Sequence, residues 1–474
     1  MADSTKPYQT RARFTGPRSI ISRTAVFYTL YILGAILLGL AAVFTDPLYV
    51  IGAISGILVV GLIFRYPFFG FVLYMIIYIL RPGERIPALA PFRTEFVTAI
   101  LLLLIVAIAS AIKGRGVRFP LDNISKAFLL FFLALGFSFV FSEWKMGSYD
   151  EIFKFVKIFI LYYFIVVFVD TEKRFQVAFW AITLLTCIVG IEAAYNYFTG
   201  NYRINQGIMR IGGSTSYGEH SNSMAMYMAT TIPFLIYLFI RYRKIALRVL
   251  LISLMAVCFV TLIITGSRSG ILTFLGILMT YAWFSKKRVA YFAAIIIFSI
   301  ATWFAMPDQY KMRYGSIVSS DVDGSSQGRL DAWKAGAQMF FEKPLFGVGV
   351  GVFPAAYMMR GGIYLSSHSL YVETLATTGI AGAFLWGLFM YRLIKLLAEM
   401  RRRWKSPPDL AENILVYRRA NYAIIAGLFI GGVFGHILLR DTWYIVAGLV
   451  VARHNALVNL YGDEEKDGSA ETNS

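Results

Sequence analysis

Apolar runs long enough to cross a bilayer recur along the whole chain. A helix needs about twenty mainly apolar residues for that crossing, and no other feature narrows the possible folds so far. Candidate spans fall at about 25–45, 48–64, 66–80, 94–112, 124–141, 152–169, 175–198, 223–240, 247–265, 270–284, 289–306, 369–391, 421–439 and 442–458. Composition agrees: 58% of the 474 residues are hydrophobic and 15% are charged, where a soluble domain carries roughly a quarter charged. The chain reads as an all-α polytopic membrane protein of about 12–14 transmembrane helices, with a long loop on one face carrying short amphipathic helices.

Charge sets the orientation. Much of the formal +18 sits in alternate short connections, such as Lys113/Arg115/Arg118, Arg241/Arg243/Lys244/Arg248, Lys286/Lys287/Arg288 and Arg401/Arg402/Arg403 with Arg418/Arg419. Short loops rich in Lys and Arg stay cytoplasmic, where they also meet anionic head groups. Basic residues scattered over many loops argue against a nucleic-acid partner. The first 24 residues are polar and basic and lead into a full span, unlike a cleavable signal peptide. Cys187 and Cys258 lie in apolar runs and offer neither a disulfide framework nor a metal-ligand spacing. The expected organisation is a cytoplasmic basic tail at 1–24, a multispan region at 25–198, a second membrane region at 199–458 that contains the long loop 307–368, and a disordered cytoplasmic tail at 459–474. Within the loop, Leu330 to Phe341 reads as an amphipathic helix with Trp333, Ala337, Phe340 and Phe341 on one side, lying on the outer membrane surface or packing across the site.

Arg268 stands out. It lies in Gly266-Ser267-Arg268-Ser269-Gly270, between an apolar run ending at Ile264 and another starting at Ile271. A permanent charge at a membrane boundary is costly and marks a functional site by default. The flanking glycines and serines predict a break between helices, where free N–H groups join the guanidinium in attracting an anion. Arg210 and Arg329 come next among the outer-face arginines, and guanidinium groups suit phosphate through their planar fork. Arg313 and Arg360 read as solvated loop charges. His368, in Ser366-Ser367-His368-Ser369-Leu370, stands directly before a span, where it serves as a helix-start residue or as a proton acceptor. Glu219 and His220 precede another span, and Asn222 reads as its cap before it reads as a substrate contact. His436 and His454 read as core or lipid-interface residues. Gly347-Val348-Gly349-Val350-Gly351 lacks the βαβ surroundings of a dinucleotide fingerprint and predicts a flexible or closely packed backbone after Pro344. Asp321-Val322-Asp323-Gly324 reads as a polar turn in preference to a metal site.

Four segments, in this order, resemble the O-antigen ligase and polysaccharide polymerase family of bacterial envelope biogenesis. They are Gly212 to Asn222, the Ser267-Arg268-Ser269-Gly270 break, Arg329-x-x-x-Trp333 with Pro344-x-x-Gly347-x-Gly349, and His368 with Gly379-x-x-Gly382. The likeness covers roughly 200–455. It implies an inverting, metal-independent glycosyltransferase with no cofactor, in the bacterial inner membrane, its site facing the periplasm. The donor would be a glycan on undecaprenyl pyrophosphate, and the acceptor a hydroxyl of a lipid, glycan or protein. On that likeness Arg210, Arg268 and Arg329 hold the pyrophosphate, His368 is the base or positions the acceptor, and His220, Glu219 and Asn222 form a secondary set. Two positions depart from the family pattern: Ser369 replaces the Asn common after the histidine, and Glu219-His220 replace a Pro before Asn222. A ligase and a repeat-unit polymerase share this donor chemistry and are not separated by sequence. A lipid-linked oligosaccharide flippase or transporter fits less well, because transporters place ionisable residues near the bilayer midplane, whereas these candidates cluster on one face beside a long loop.

Overall fold

The computed structural model describes residues 47–112, 122–205, 208–285, 287–315, 324–404 and 407–461, and the chain divides into two units at Tyr66/Pro67. The described part of the first unit is one helix, α1 (Pro47–Arg65). The span expected at 25–45, both tails, the Lys113–Arg118 cluster and Asp321–Asp323 lie outside the described residues. The second unit contains α2 (Pro67–Leu80), a one-turn helix (Pro82–Arg85), α3 (Thr94–Ile112), α4 (Asn123–Val140), α5 (Lys145–Phe168) and α6 (Glu172–Phe198). A short antiparallel hairpin follows, β1 (Arg203–Asn205) and β2 (Ile208–Arg210), with Arg203 opposite Arg210. The remaining helices are α7 (Ser221–Arg241), α8 (Ile245–Ile264), α9 (Arg268–Trp283), α10 (Arg288–Ala305), α11 (Asp308–Gly315), α12 (Gly324–Glu342), α13 (Phe353–Met359), α14 (Leu370–Arg403), α15 (Pro408–Gly431) and α16 (Asp441–Tyr461).

This is an all-α polytopic membrane protein. Among the described residues, 8 helices are long and apolar enough to cross a membrane, and two shorter apolar helices end at Arg65 and Leu80. Three further expected spans fall on α5, α9 and α16, which are helical but do not meet that standard. Helix α9 has only 16 residues, and α5 and α16 carry charges such as Lys154, Lys157 and Arg453 among their apolar positions.

Short polar side chains start several helices where the sequence places them. Asp122 accepts from the N–H groups of Ile124 and Ser125 ahead of α4, Thr171 caps α6, Ser267 caps α9 and Ser369 caps α14, each satisfying N–H groups that a helix leaves open at its first turn. Helix α7 is the centre of the bundle: 83% of its apolar window is buried, against none for α10 at the periphery. It packs on α8, α9 and α15. The early and late parts of the unit share one core, for Phe128 of α4 stacks on Phe389 of α14 at 5.1 Å and on Tyr444 of α16 at 4.8 Å. Such aromatic pairs contribute beyond their buried area.

Helices α7, α9, α14 and α16 all begin at the same end of the bundle. Asn222 of α7 bonds Ser267 at the start of α9, Tyr227 of α7 bonds Asp441 at the start of α16, and Gly432 after α15 lies against Leu370 at the start of α14. The positive ends of four helix dipoles therefore gather where the candidate residues are.

The long loop is built onto this end. Helix α14 breaks at Gly379 (φ 63°, ψ −167°), and its freed backbone groups pair with the segment after Pro344. Ile380 N–H donates to Pro344 O at 2.8 Å, and Val348 N–H donates to Ala376 O at 2.9 Å. A side chain at 379 would stand 2.5 Å from the carbonyl carbon of Leu345. The Gly347–Gly351 stretch is the closely packed backbone that its composition suggests. Helix α12 forms across Leu330–Phe341, but the face it buries is Ala332, Ala335 and Met339, against Val348, Val352, Phe353, Ala356 and Ala376. Ala337 is exposed and Phe341 is 79% exposed, so the side with Trp333, Ala337, Phe340 and Phe341 is not the one that packs against the bundle. Small residues let α12 approach α14 closely, and the bulky Phe341 is left outside.

Candidate active site

The break between α8 and α9 is organised around Asn222. Its Oδ1 accepts from Arg210 Nη2 at 3.1 Å and from Ser267 Oγ at 2.9 Å, while Arg210 Nε donates to Thr265 O at 2.8 Å. Asn222 is thus a bridge between the hairpin and the break, not a cap; the cap position of α7 is His220. Arg268 occupies the first helical position of α9 and is 8% exposed, and Arg210 is 9% exposed. Burial, with the charge of Arg268 added, pushes the Arg210 guanidinium below its usual range. Two buried cations at a helix N-terminus make a strongly anion-attracting spot. Helix α11 straps it from outside: Tyr310 Oη donates to Met209 O at 2.7 Å and Tyr314 Oη to Ile263 O at 2.9 Å. Arg313 Nε comes within 3.5 Å of Gly266 O, so this arginine lies at the break and is not a remote solvated charge.

His368 is placed by serines on either side. Ser369, whose presence departs from the family pattern, caps α14 by accepting from Val372 N–H. Ser367 O accepts from Trp333 Nε1 at 2.9 Å, and Ser367 Oγ donates to Glu373 Oε2 at 2.6 Å. Between them His368 takes φ 49°, a left-handed backbone uncommon for a residue with a side chain. Burial and the charge of Arg329 hold its imidazole down to about 4, so it is neutral at pH 7. Arg329 and His368 are therefore electrostatic neighbours across the loop. The ring of His436 meets that of His368 edge-on, with centroids 5.3 Å apart. His436 was expected in the core or at the lipid interface, and that expectation is corrected: it follows α15, packs on His368 and is accessible from a cavity.

That cavity, of about 710 Å³, opens among α2, α5, the 216–220 segment and the start of α16. Glu219, His220, Glu373, His436, Arg440 and Asp441 all line it. Its 214–217 wall is fixed by acids of other helices, since Ser216 N–H and Oγ donate to the Glu84 carboxylate at 2.7 and 2.6 Å and Ser214 bonds Glu192. Tyr217 stacks on Tyr227 at 4.4 Å, and Tyr227 Oη donates to Asp441 Oδ1 at 2.7 Å. Arg360, read as a solvated charge, instead pairs with Glu143 at 3.0 Å and with Glu342, its side chain 15% exposed. It ties α12 and α13 to the α4–α5 turn.

The geometry brings Arg210, Arg268 and Asn222 together in one group, Arg329 and His368 in another, and Glu219 and His220 onto the cavity beside His436. Residues 253–387 match the O-antigen ligase family. The matched stretch contains Arg268, Arg329 and His368 and leaves out Arg210 and His436. Among curated proteins, no match is found. A ligase-like segment within a polytopic helical bundle supports a ligase- or polymerase-type membrane glycosyltransferase in general, acting on lipid-linked glycan.

Proposed function

We propose that the protein is an inverting glycosyltransferase of the O-antigen ligase kind. It moves a glycan from an undecaprenyl-pyrophosphate carrier to an acceptor hydroxyl at the periplasmic face of the bacterial inner membrane. The observation that carries this reading is the gathering, at one end of the bundle, of two buried arginines at a helix N-terminus and an arginine–histidine pair. The acceptor oxygen attacks the anomeric carbon of the donor sugar. As the new O–C bond forms, the C–O bond to the pyrophosphate breaks, and its electron pair leaves on the pyrophosphate oxygen. Arg268 and Arg210, with the open N–H groups of α9, hold one part of the pyrophosphate, and Arg329 meets the charge that builds on the leaving oxygen. Fixed donors aimed at developing charge are worth roughly 100–1000-fold each, and a guanidinium fork fits phosphate oxygens in pairs. The acceptor's proton passes to an imidazole on the side of His368.

Glycan profiling of a strain deleted for the protein tests this. Long chains retained on the lipid carrier are expected for a ligase. Loss of every long chain would instead mark a repeat-unit polymerase, and an unchanged profile would sink the proposal.

A further inference from the structure

We infer that His436 is a catalytic residue of the transfer, the imidazole that takes the acceptor's proton, with His368 behind it as its positioning partner. The inference rests on the glycan-transfer reading and extends it to a residue outside the matched segment. Of the two stacked rings, His436 lines the cavity and His368 does not. His368 instead feels Arg329 and so belongs to the donor side, which leaves His436 on the side from which an acceptor arrives. The cavity suits a polyhydroxylated acceptor better than an acyl chain. Charged groups of both signs, Glu151, Glu219 and Glu373 with Arg81, Lys154, Lys157 and Arg440, border it beside the ring of Tyr364, and convergent polar groups next to an aromatic surface orient a sugar. His436 is also held firmly. Trp443 Nε1 donates to Ile437 O at 3.0 Å and Tyr444 Oη to Leu438 O at 2.8 Å, so α16 clamps the short segment that carries it.

The electrostatics give an order to the events. The groups around His436 are His368, His220, Arg440 and, beyond His368, Arg329, with Arg81, Glu84, Glu151, Lys154, Lys157, Glu219, Glu373 and Asp441 along the cavity. The protein packed around the cavity, then His368, Arg440 and His220, lower its imidazole below the usual range. In the resting protein it is neutral and can accept a proton. A pyrophosphate bound beside Arg329 adds negative charge, which raises the basicity of a nearby imidazole. Base strength thus rises once the donor is in place. The acceptor O–H bond then breaks as its oxygen bonds the anomeric carbon, the proton goes to a ring nitrogen of His436, and it leaves through water in the cavity.

The test uses full-length protein in proteoliposomes, with lipid-linked glycan extracted from deletion-strain membranes as donor and the same cells' acceptor fraction as acceptor. His436→Ala and His436→Gln should each lower kcat by roughly 100-fold or more with little change in donor KM, and added imidazole should restore rate to His436→Ala along imidazole's own titration curve. Wild-type rates in both variants would overturn the inference. So would a loss that imidazole does not relieve and that leaves the pH profile unshifted, since that marks a structural role. If the wild-type protein itself moves no glycan, the glycan-transfer reading falls and takes this inference with it, whereas an active wild type with indifferent His436 variants removes the inference alone.

Discussion

Arg268 sits 8% exposed at the first turn of a helix whose neighbours on both sides are apolar. Its guanidinium does more than carry a charge, because the planar fork presents donors in a fixed arrangement that an ammonium lacks. Arg268→Lys is therefore expected to cut transfer by roughly 100-fold or more while the protein still reaches the membrane, and near-normal turnover in proteoliposomes would remove the bidentate role. The lowered imidazole of His368 makes a second prediction. A free histidine titrates near 6.5, and this one near 4, so between those values the unfolded chain binds a proton that the folded protein refuses. Stability then falls as pH drops from about 6.5 to about 4 and levels off below. Melting of the detergent-solubilised protein should show that loss, and His368→Gln should reduce it, the remainder coming from His436, whose imidazole is lowered too; identical slopes in the two proteins would contradict it. At this scale the sequence was readable where a charge broke an apolar run, as at Arg268. It was silent where tertiary packing alone decides, as for His436 against His368 or Arg360 between Glu143 and Glu342.

The elements that hold these residues depend on backbone that only certain residues allow. Gly379 takes φ 63° with ψ −167° inside α14, and a Cβ there would stand 2.5 Å from the backbone of Leu345. Gly379→Ala should cost about 1–3 kcal/mol in backbone strain alone, with the steric conflict added, and should displace the start of α14 with His368 on it. A lowered melting temperature together with reduced transfer is the expected outcome, and a variant that melts like the wild type would show that the break can relax. Apolar runs bounded by Ser, Thr and Asp made most of the long helices legible. The β1–β2 hairpin was not, since three residues per strand leave no alternating pattern to read. The buried face of α12 was not legible, because close approach to α14 selects Ala332, Ala335 and Met339 in place of the aromatic side of the helix.

For the molecule as a whole, the expected orientation rests on the bias of Lys and Arg to alternate loops, and the fold adds that four helices start at the end where the long loop lies. Cys187 and Cys258 are free and buried, at 1% and 0% exposure, so an introduced cysteine can be labelled in the native background. Ser325→Cys should react with a membrane-impermeant maleimide added from the periplasmic side; labelling only after the inner membrane is opened would place the loop in the cytoplasm and sink the topology. The segment matched to the ligase family covers the arginine–histidine pair, the helix break and the part of the cavity wall from Val350 to Thr377, but not Arg210 or His436. The claim on which the rest depends is that a glycan leaves its carrier here. Purified protein in liposomes, given lipid-linked glycan and acceptor, should release one undecaprenyl pyrophosphate for each glycan that appears on the acceptor. Glycan that changes leaflet while still bound to its carrier would contradict it, and would make the protein a transporter.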